Sequence, residues 1–379
     1  MSKIIVLGAG MVGSAMAIDL SKKHDVLVSD LDQKVLIKLQ TKCPDLSTQQ
    51  LDVTDKKALQ KSLQPSDLVI CAVPGFLGYQ TLKSIIEAGK NVVDISFFPE
   101  NPLELNALAQ EKNVTAIVDC GVAPGMGNIL LGYFNEKLAI SHFECLVGGL
   151  PKTKIWPFCY KAPFSPIDVI EEYTRPARYV ENGKLVVREA LSDCENVHFD
   201  QIGTLESFNS DGLRTIIDTM PHIPNMKEKT LRYPGHAEYV RVLKVSGFFN
   251  DKTIEVNGNM VAPIDLTSKI LFNEWKLGES EAEFTVMRIT LKGENLKGKK
   301  EIITCDLYDE YSVNTQTSSM ARTTGYTATA VANLFLDGIF SEKGVFPPEL
   351  IGKYEPCYSY IINYLADRDV RYEIKSERI

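Results

Sequence analysis

The chain of 379 residues contains no run of about 18 or more apolar residues, so nothing in it reads as a membrane-spanning helix. It has no surplus of positive charge either. Lys and Arg number 41 against 49 Asp and Glu, the net charge is −8 and the pI is near 5.4, so neither a nucleic-acid backbone nor an anionic membrane would be attracted. The eight cysteines, at 43, 71, 120, 145, 159, 194, 305 and 357, form no CxxC pair, and the five histidines are scattered, so no metal site is expected. A strand beginning at Lys3 leaves no room for a secretion signal. A cytoplasmic setting is therefore expected, with reduced, mostly buried thiols. Cys120 sits at a strand end near the expected chemistry, although packing is its commoner role. No internal repeat or low-complexity segment occurs.

What is present is globular: 44% hydrophobic and 24% charged residues, in a chain long enough for two domains. Its organising stretch is the first thirty residues. Ile4 to Leu7 is a buried-strand run, and Gly8, Gly10 and Gly13 follow it in GxGxxG spacing before a helical pattern from Ala15 to Lys23. The first glycine permits a tight turn, the second lets backbone N–H groups approach a pyrophosphate, and the third brings helix and strand together. Gly8, Gly10, Met11, Val12 and Gly13 are thus the expected phosphate cradle, on a helix N-terminus that favours an anion. A second strand from Asp25 ends at Asp30, about 20 residues on, as the dinucleotide fingerprint requires. A carboxylate there accepts from ribose hydroxyls and repels a 2′-phosphate, which favours NAD over NADP. The plainer reading of Asp30 is a solvated turn with Asp32.

Strands and helices then alternate to about residue 120. The strands are expected at Ser47 to Asp52, Asp67 to Pro74, Asn91 to Ser96 and Thr115 to Asp119, with helices between them. This pattern predicts an α/β, Rossmann-type parallel sheet whose ligand lies beyond the carboxyl ends of the strands. There Asp52 and Val53 should flank the adenine, and Val73 and Pro74 the nicotinamide ribose. Asp94 and Asp119 would face the substrate, although an Asp at a strand end as often caps the next turn.

Past residue 122 the texture becomes strands with interspersed helices, predicting an α+β domain over 123–317 with an open mixed sheet suited to homodimers or higher homo-oligomers. Ser165 is positioned to cap a helix with Pro166 at its first turn. The Ala- and Thr-rich helix of 318–336, and the tail from Pro347 to the end, are expected to return to the nucleotide-binding domain formed by 1–122.

Several short motifs, in order, resemble the saccharopine dehydrogenase superfamily. They are GAGMVG at Gly8, Gly148-Gly149-Leu150-Pro151, Tyr160-Lys161, Arg175-Pro176-Ala177, Thr230-Leu231-Arg232-Tyr233, Met320 to Tyr326 and Gly344 to Pro348. Asp94 to Pro99, Ser165 to Arg178, Phe208 to Thr215 and Thr230 to His236 are most similar to its lysine 6-dehydrogenase branch. The saccharopine reductases tend to carry an acid in a GLDPG turn, where this chain has Ala123. The resemblance implies NAD-dependent oxidation of the ε-amino carbon of lysine to 2-aminoadipate 6-semialdehyde, which cyclises, and ammonia. The alternatives are an imine reductase of the saccharopine or carboxynorspermidine type, and a non-catalytic NAD-sensing protein.

Such chemistry needs a desolvating wall, a carboxylate clamp and a proton carrier. Phe97, beside Phe98, suits the wall. Arg232 and Arg214 are the clamp candidates because a guanidinium binds a carboxylate bidentately. The resemblance implies the clamp role for the TLRY arginine, Arg232, and places Gly148 and Tyr233 at the substrate. Asn209 or Asp211 would hold the α-amino group, and Arg214 would equally serve a salt bridge. Proton transfer falls to Lys161, His236, Asp94 or Asp119, with Lys161 preferred because its segment carries little charge.

Overall fold

A computed structural model describes residues 1–163, 166–278 and 281–378. The cap expected at Ser165 lies outside the described residues.

The N-terminal third contributes strands Lys3–Leu7 (β1), Asp25–Asp30 (β2), Ser47–Gln50 (β3), Leu68–Cys71 (β4), Asn91–Asp94 (β5) and Thr115–Ile117 (β6). Next come Leu138–Pro151 (β7), Ala177–Glu181 (β8), Lys184–Arg188 (β9), Glu195–Phe199 (β10), Gly203–Asn209 (β11) and Met226–Arg232 (β12). The last six are Ile254–Val256 (β13), Asn259–Val261 (β14), Glu283–Asn295 (β15), Lys300–Glu310 (β16), Gly344–Phe346 (β17) and Tyr372–Arg378 (β18).

The first sheet is parallel throughout, in the order β17-β6-β5-β4-β1-β2-β3. Both of its faces are covered. Ile4 and Val6 of β1 pack with Met16, Ala17 and Leu20 of the helix Met11–Ser21, and Ile5 and Leu7 pack on the opposite side with Leu59, Leu82 and Ile85. Double-sided burial explains why β1 reads as an unbroken apolar run rather than an alternating one. Between strands, carboxylates start the helices: Asp32 accepts from Lys34 N at 2.8 Å, and Asp55 from Lys57 N at 3.0 Å.

The second sheet is mixed. It runs β10-β11-β12-β7-β15-β16-β18, with β12 parallel to β7, the other pairs antiparallel, and β8 carrying β9 onto β12. The α/β reading with a second α+β unit and a mixed sheet therefore holds. One detail differs. Residues 344–346 do extend the first sheet, but the end of the tail, Tyr372–Arg378, pairs antiparallel with β16 of the second. Its alternating polar sequence suits an exposed edge and offers little to a doubly covered sheet.

The helix Ser319–Leu336, buried over most of its length, lies between the two sheets and against Met11–Ser21. Asp19 joins these helices. Its Oδ2 accepts from Thr329 Oγ1 at 2.8 Å, Tyr364 OH at 2.7 Å and Arg368 Nε at 2.9 Å.

Candidate active site

The glycine turn after β1 is shaped by close approach. Gly8 has φ +103, and a Cβ there would stand 2.4 Å from Ala72 O. At Gly13 it would stand 2.0 Å from Gly8 O, so helix and turn meet at a distance only glycine allows. Nothing lies within 4 Å of the corresponding position at Gly10, and the helix starting at Met11 has no side-chain cap. Its first N–H groups therefore face open space, which fits a dinucleotide phosphate. Asp30 closes the other side: Oδ2 accepts from Ala9 N at 2.7 Å and Oδ1 from Asp32 N at 2.9 Å.

A cavity of about 530 Å³ leads from this cradle to the second sheet, in the size range of small-molecule sites. Gly8, Gly10, Met11, Val12, Gly13 and Asp30 line one end, and Val73 and Pro74 the strand ends beyond. Ser96, Phe97 and Asp119 follow. The far end is formed by Gly148 of β7, Asp211, Gly212, and Glu228, Thr230 and Arg232 of β12, with Glu171 and Glu172 from the helix Pro166–Thr174 and Arg175 just after it.

Carboxylates and arginines pair around that far end. Arg232 Nη2 meets Glu172 at 2.8 Å, Arg175 meets Glu171 at 2.6 Å, Arg178 meets Asp211 at 3.0 Å, and Arg214 Nε meets Asp119 Oδ1 at 2.8 Å. Arg214 and Asp119 both hold positive φ, 47° and 54°, a conformation that non-glycine residues keep only where their surroundings enforce it. Asp119 Oδ2 has no hydrogen-bond partner among the described residues.

Other sequence candidates stand outside the cavity lining. Lys161 donates to Glu274 O at 2.6 Å. His236 is buried behind Arg232, with Nε2 on Tyr173 OH and Nδ1 on Phe158 O, each at 2.9 Å. Burial and the Arg232 charge push its pKa down to about 3, so the ring is neutral. Asp94 is fully buried with both carboxylate oxygens unpartnered among the described residues. Burial above all, aided by the Asp119 charge and opposed by the neighbouring Cys71 thiol and Ser96 hydroxyl, pushes it up to about 7.

Asn209 is held by Tyr179, Ser192 and Asp193, and Arg214 lies against the Phe97 and Phe98 rings. Tyr233 donates to Pro151 O at 2.9 Å. Asp52 caps its own turn through Thr54 N and Oγ1, and Val53 is half-buried beside it. Sequence reasoning overlooked Glu228. The signal was there, since residues two and four before Arg232 share its strand face.

Residues 4–117 match the family described as saccharopine dehydrogenase NADP binding domain, and 121–370 match saccharopine dehydrogenase C-terminal domain. Saccharopine dehydrogenase (NADP+, L-glutamate-forming) of Schizosaccharomyces pombe is 23% identical over 98% of both chains. Carboxyaminopropylagmatine dehydrogenase of Synechocystis is 21% identical over 92% of each. Among solved structures, apo histidine-tagged saccharopine dehydrogenase (L-Glu forming) from Saccharomyces cerevisiae superposes with a TM-score of 0.80 over 100% of both chains, at 21% identity, a likeness of fold.

Proposed function

The chain belongs to the saccharopine dehydrogenase family, and we propose that it is an NAD-dependent oxidoreductase that deaminates L-lysine at its ε-carbon to 2-aminoadipate 6-semialdehyde and ammonia. The observation that carries this reading is the charge of the cavity. Its far end is ringed with carboxylates, and the two arginines that line it, Arg175 and Arg232, are each already joined to one. Such a pocket suits an amine with a single carboxylate better than a substrate with three, such as saccharopine.

When bound, the nicotinamide takes up the hydride lost from the amine carbon. The chain's own residues do the rest. The cradle of Gly8, Gly10 and Gly13 holds the pyrophosphate, and Asp30 receives ribose hydroxyls and disfavours a 2′-phosphate. Phe97 excludes water beside the reacting carbon, keeping the amine neutral. Asp119, with one oxygen fixed by Arg214 and the other without a partner among the described residues, takes a proton from the amine and from the water that attacks the imine. Arg232 has a second Nη1 hydrogen with no acceptor among the described residues, and this is available to the substrate carboxylate.

This reading assigns nucleotide binding to 1–122 with the segment returning from 318, and substrate binding and self-association to 123–317. Exposed Val245, Phe248, Met260 and Leu266 support the latter, and light scattering tests it. No helix among the described residues is long and apolar enough to cross a membrane.

The second reading is reduction of an imine to a substituted amine, favoured by the likeness over nearly the whole chain to a saccharopine dehydrogenase and a carboxyaminopropylagmatine dehydrogenase. Absorbance of reduced nicotinamide separates the readings. Reduction of NAD with lysine and release of ammonia are expected. Reduction with saccharopine or a longer secondary amine alone would move the assignment to the second reading, and NAD binding without turnover of any amine would favour a sensor.

A further inference from the structure

We propose that Glu228 is the site that selects a second, non-reacting ammonium group on the substrate, the α-ammonium in the case of lysine. The proposal rests on the amine-oxidising reading above and deepens it by naming the group that recognises the far end of the molecule.

Glu228 projects from β12 on the face it shares with Thr230 and Arg232, and all three line the cavity. The residue is 6% exposed. Its main-chain carbonyl accepts from Tyr179 OH at 2.5 Å, but its carboxylate has no hydrogen-bond or ion-pair partner among the described residues. The neighbouring carboxylates Glu171, Glu172, Asp119 and Asp211 each have an arginine; Glu228 has none. An isolated carboxylate in such a place is costly, so it holds a proton until a ligand supplies the missing charge.

The chain makes room for it deliberately. A Cβ on Gly212 would stand 1.7 Å from Glu228 Oε1, so the carboxylate rests directly on the backbone of the Asn209–Gly212 segment. Asp211, the sequence's candidate for the α-amino group, is bound through both oxygens to Arg178. The segment thus contributes space, and the free charge comes from the adjacent strand. Burial first, and then the charges of Glu172, Asp211 and Asp119, push the Glu228 carboxyl up to about 8 against the opposing charge of Arg214, whose Nε is held by Asp119. Those like charges mark the pocket as short of one cation. An ammonium group entering it restores ionisation of Glu228 and completes its hydrogen bonding.

The test is equilibrium binding to the purified full chain with NADH at pH 9, comparing lysine, 1,5-diaminopentane, and 6-aminohexanoate, which lacks the second nitrogen. Lysine should bind at least about tenfold more tightly than 6-aminohexanoate, a difference typical of one charged hydrogen-bonded pair, and the diamine, which lacks the carboxylate given to Arg232, should bind measurably through Glu228. In Glu228→Gln that preference should collapse to about twofold, and Glu228→Asp should keep part of it, with thermal melting reporting that both variants fold. Equal wild-type affinities, no binding of lysine or diamine, or a preference that survives in a folded Glu228→Gln would each overturn the proposal. Because binding is read without turnover, a clear preference accompanied by no lysine oxidation would retain this site and reject the lysine reaction; turnover of lysine without the preference would do the reverse.

Discussion

Arg232 Nη2 lies 2.8 Å from Glu172 Oε2, and the same guanidinium donates through Nε to Tyr173 OH at 3.2 Å, a hydroxyl that also meets His236. The arginine of the TLRY stretch is therefore a charged group fixed on several sides before any substrate arrives. Tyr160 stacks its ring 4.4 Å from the guanidinium carbon, adding a π face to the same cage. A planar fork held in this way offers its remaining hydrogen in a set direction, which is what positioning a carboxylate requires.

Removing Arg232 should accordingly cost stability as well as affinity. Arg232→Ala leaves the half-buried Glu172 without its counter-charge, a loss of a charged hydrogen bond that typically costs about 1.5–3 kcal/mol. Chemical denaturation should register that loss, and Arg232→Ala combined with Glu172→Gln should recover part of it. If the single and double variants were equally unstable, the ion pair would not be what holds this wall.

Asp30 carries a prediction about the cofactor. Its two oxygens hold Ala9 N and Asp32 N, so the carboxylate shapes the glycine turn as well as facing the cavity. Asp30→Ala should weaken NAD use by about tenfold or more while raising NADP use relative to it, because a 2′-phosphate no longer meets a negative charge. Steady-state kinetics with both nucleotides checks this. An unchanged ratio of kcat/KM would remove the ribose contact.

The parts of the molecule legible in the sequence were those governed by local rules. The GxGxxG spacing, the strand after it and Asp30 depend on backbone geometry within about 20 residues, and the three glycines and Asp30 line the cavity. Side chains whose surroundings come from distant segments were harder to read. Lys161 looked suited to proton transfer from the low charge of its neighbours, but its ammonium reaches Glu274 O, 113 positions away. His236 resembled a general base until Tyr173 and Phe158 enclosed it. Glu228 was passed over because its strand face shows only that it shares a side with Arg232; that Arg178, Arg175 and Arg214 pair with other carboxylates is set by distant segments.

Buried acids give the fold a pH dependence with a definite sign. Glu283 is pushed up to about 8 by burial, against the N–H of Ser319 and the Arg322 charge, and Glu228 also stands at about 8. Both exceed their unfolded value of about 4.3. Between that value and about 8 the native state binds more protons than the unfolded chain, so these groups make stability fall as pH rises across the interval and level off above it. Glu283→Gln, neutral at every pH, should flatten the decline in denaturation midpoints measured from pH 5 to 9. A slope as steep as that of the native sequence would assign the dependence elsewhere.

Asp19 behaves in the opposite sense and ties that behaviour to the cofactor cradle. Burial alone would raise its pKa, but Arg368 and the hydroxyls of Tyr364 and Thr329 outweigh burial and hold it below the ordinary aspartate value. Its contribution is therefore present above the unfolded value of about 3.9 and is lost as pH falls through the folded one. Asp19→Asn keeps the shape but not the charge, so Arg368 loses its partner; the expected cost at pH 7 is about 2–4 kcal/mol. The stability gap between the two proteins should narrow in acid below about pH 4. Because Asp19 fastens the helix Met11–Ser21 to the helix Ser319–Leu336, loosening it should also weaken dinucleotide binding at the other end of the first helix. Melting curves across pH with a parallel NADH titration test both consequences. Lost stability with unaltered nucleotide affinity would mean that the glycine turn keeps its shape without support from the C-terminal helices.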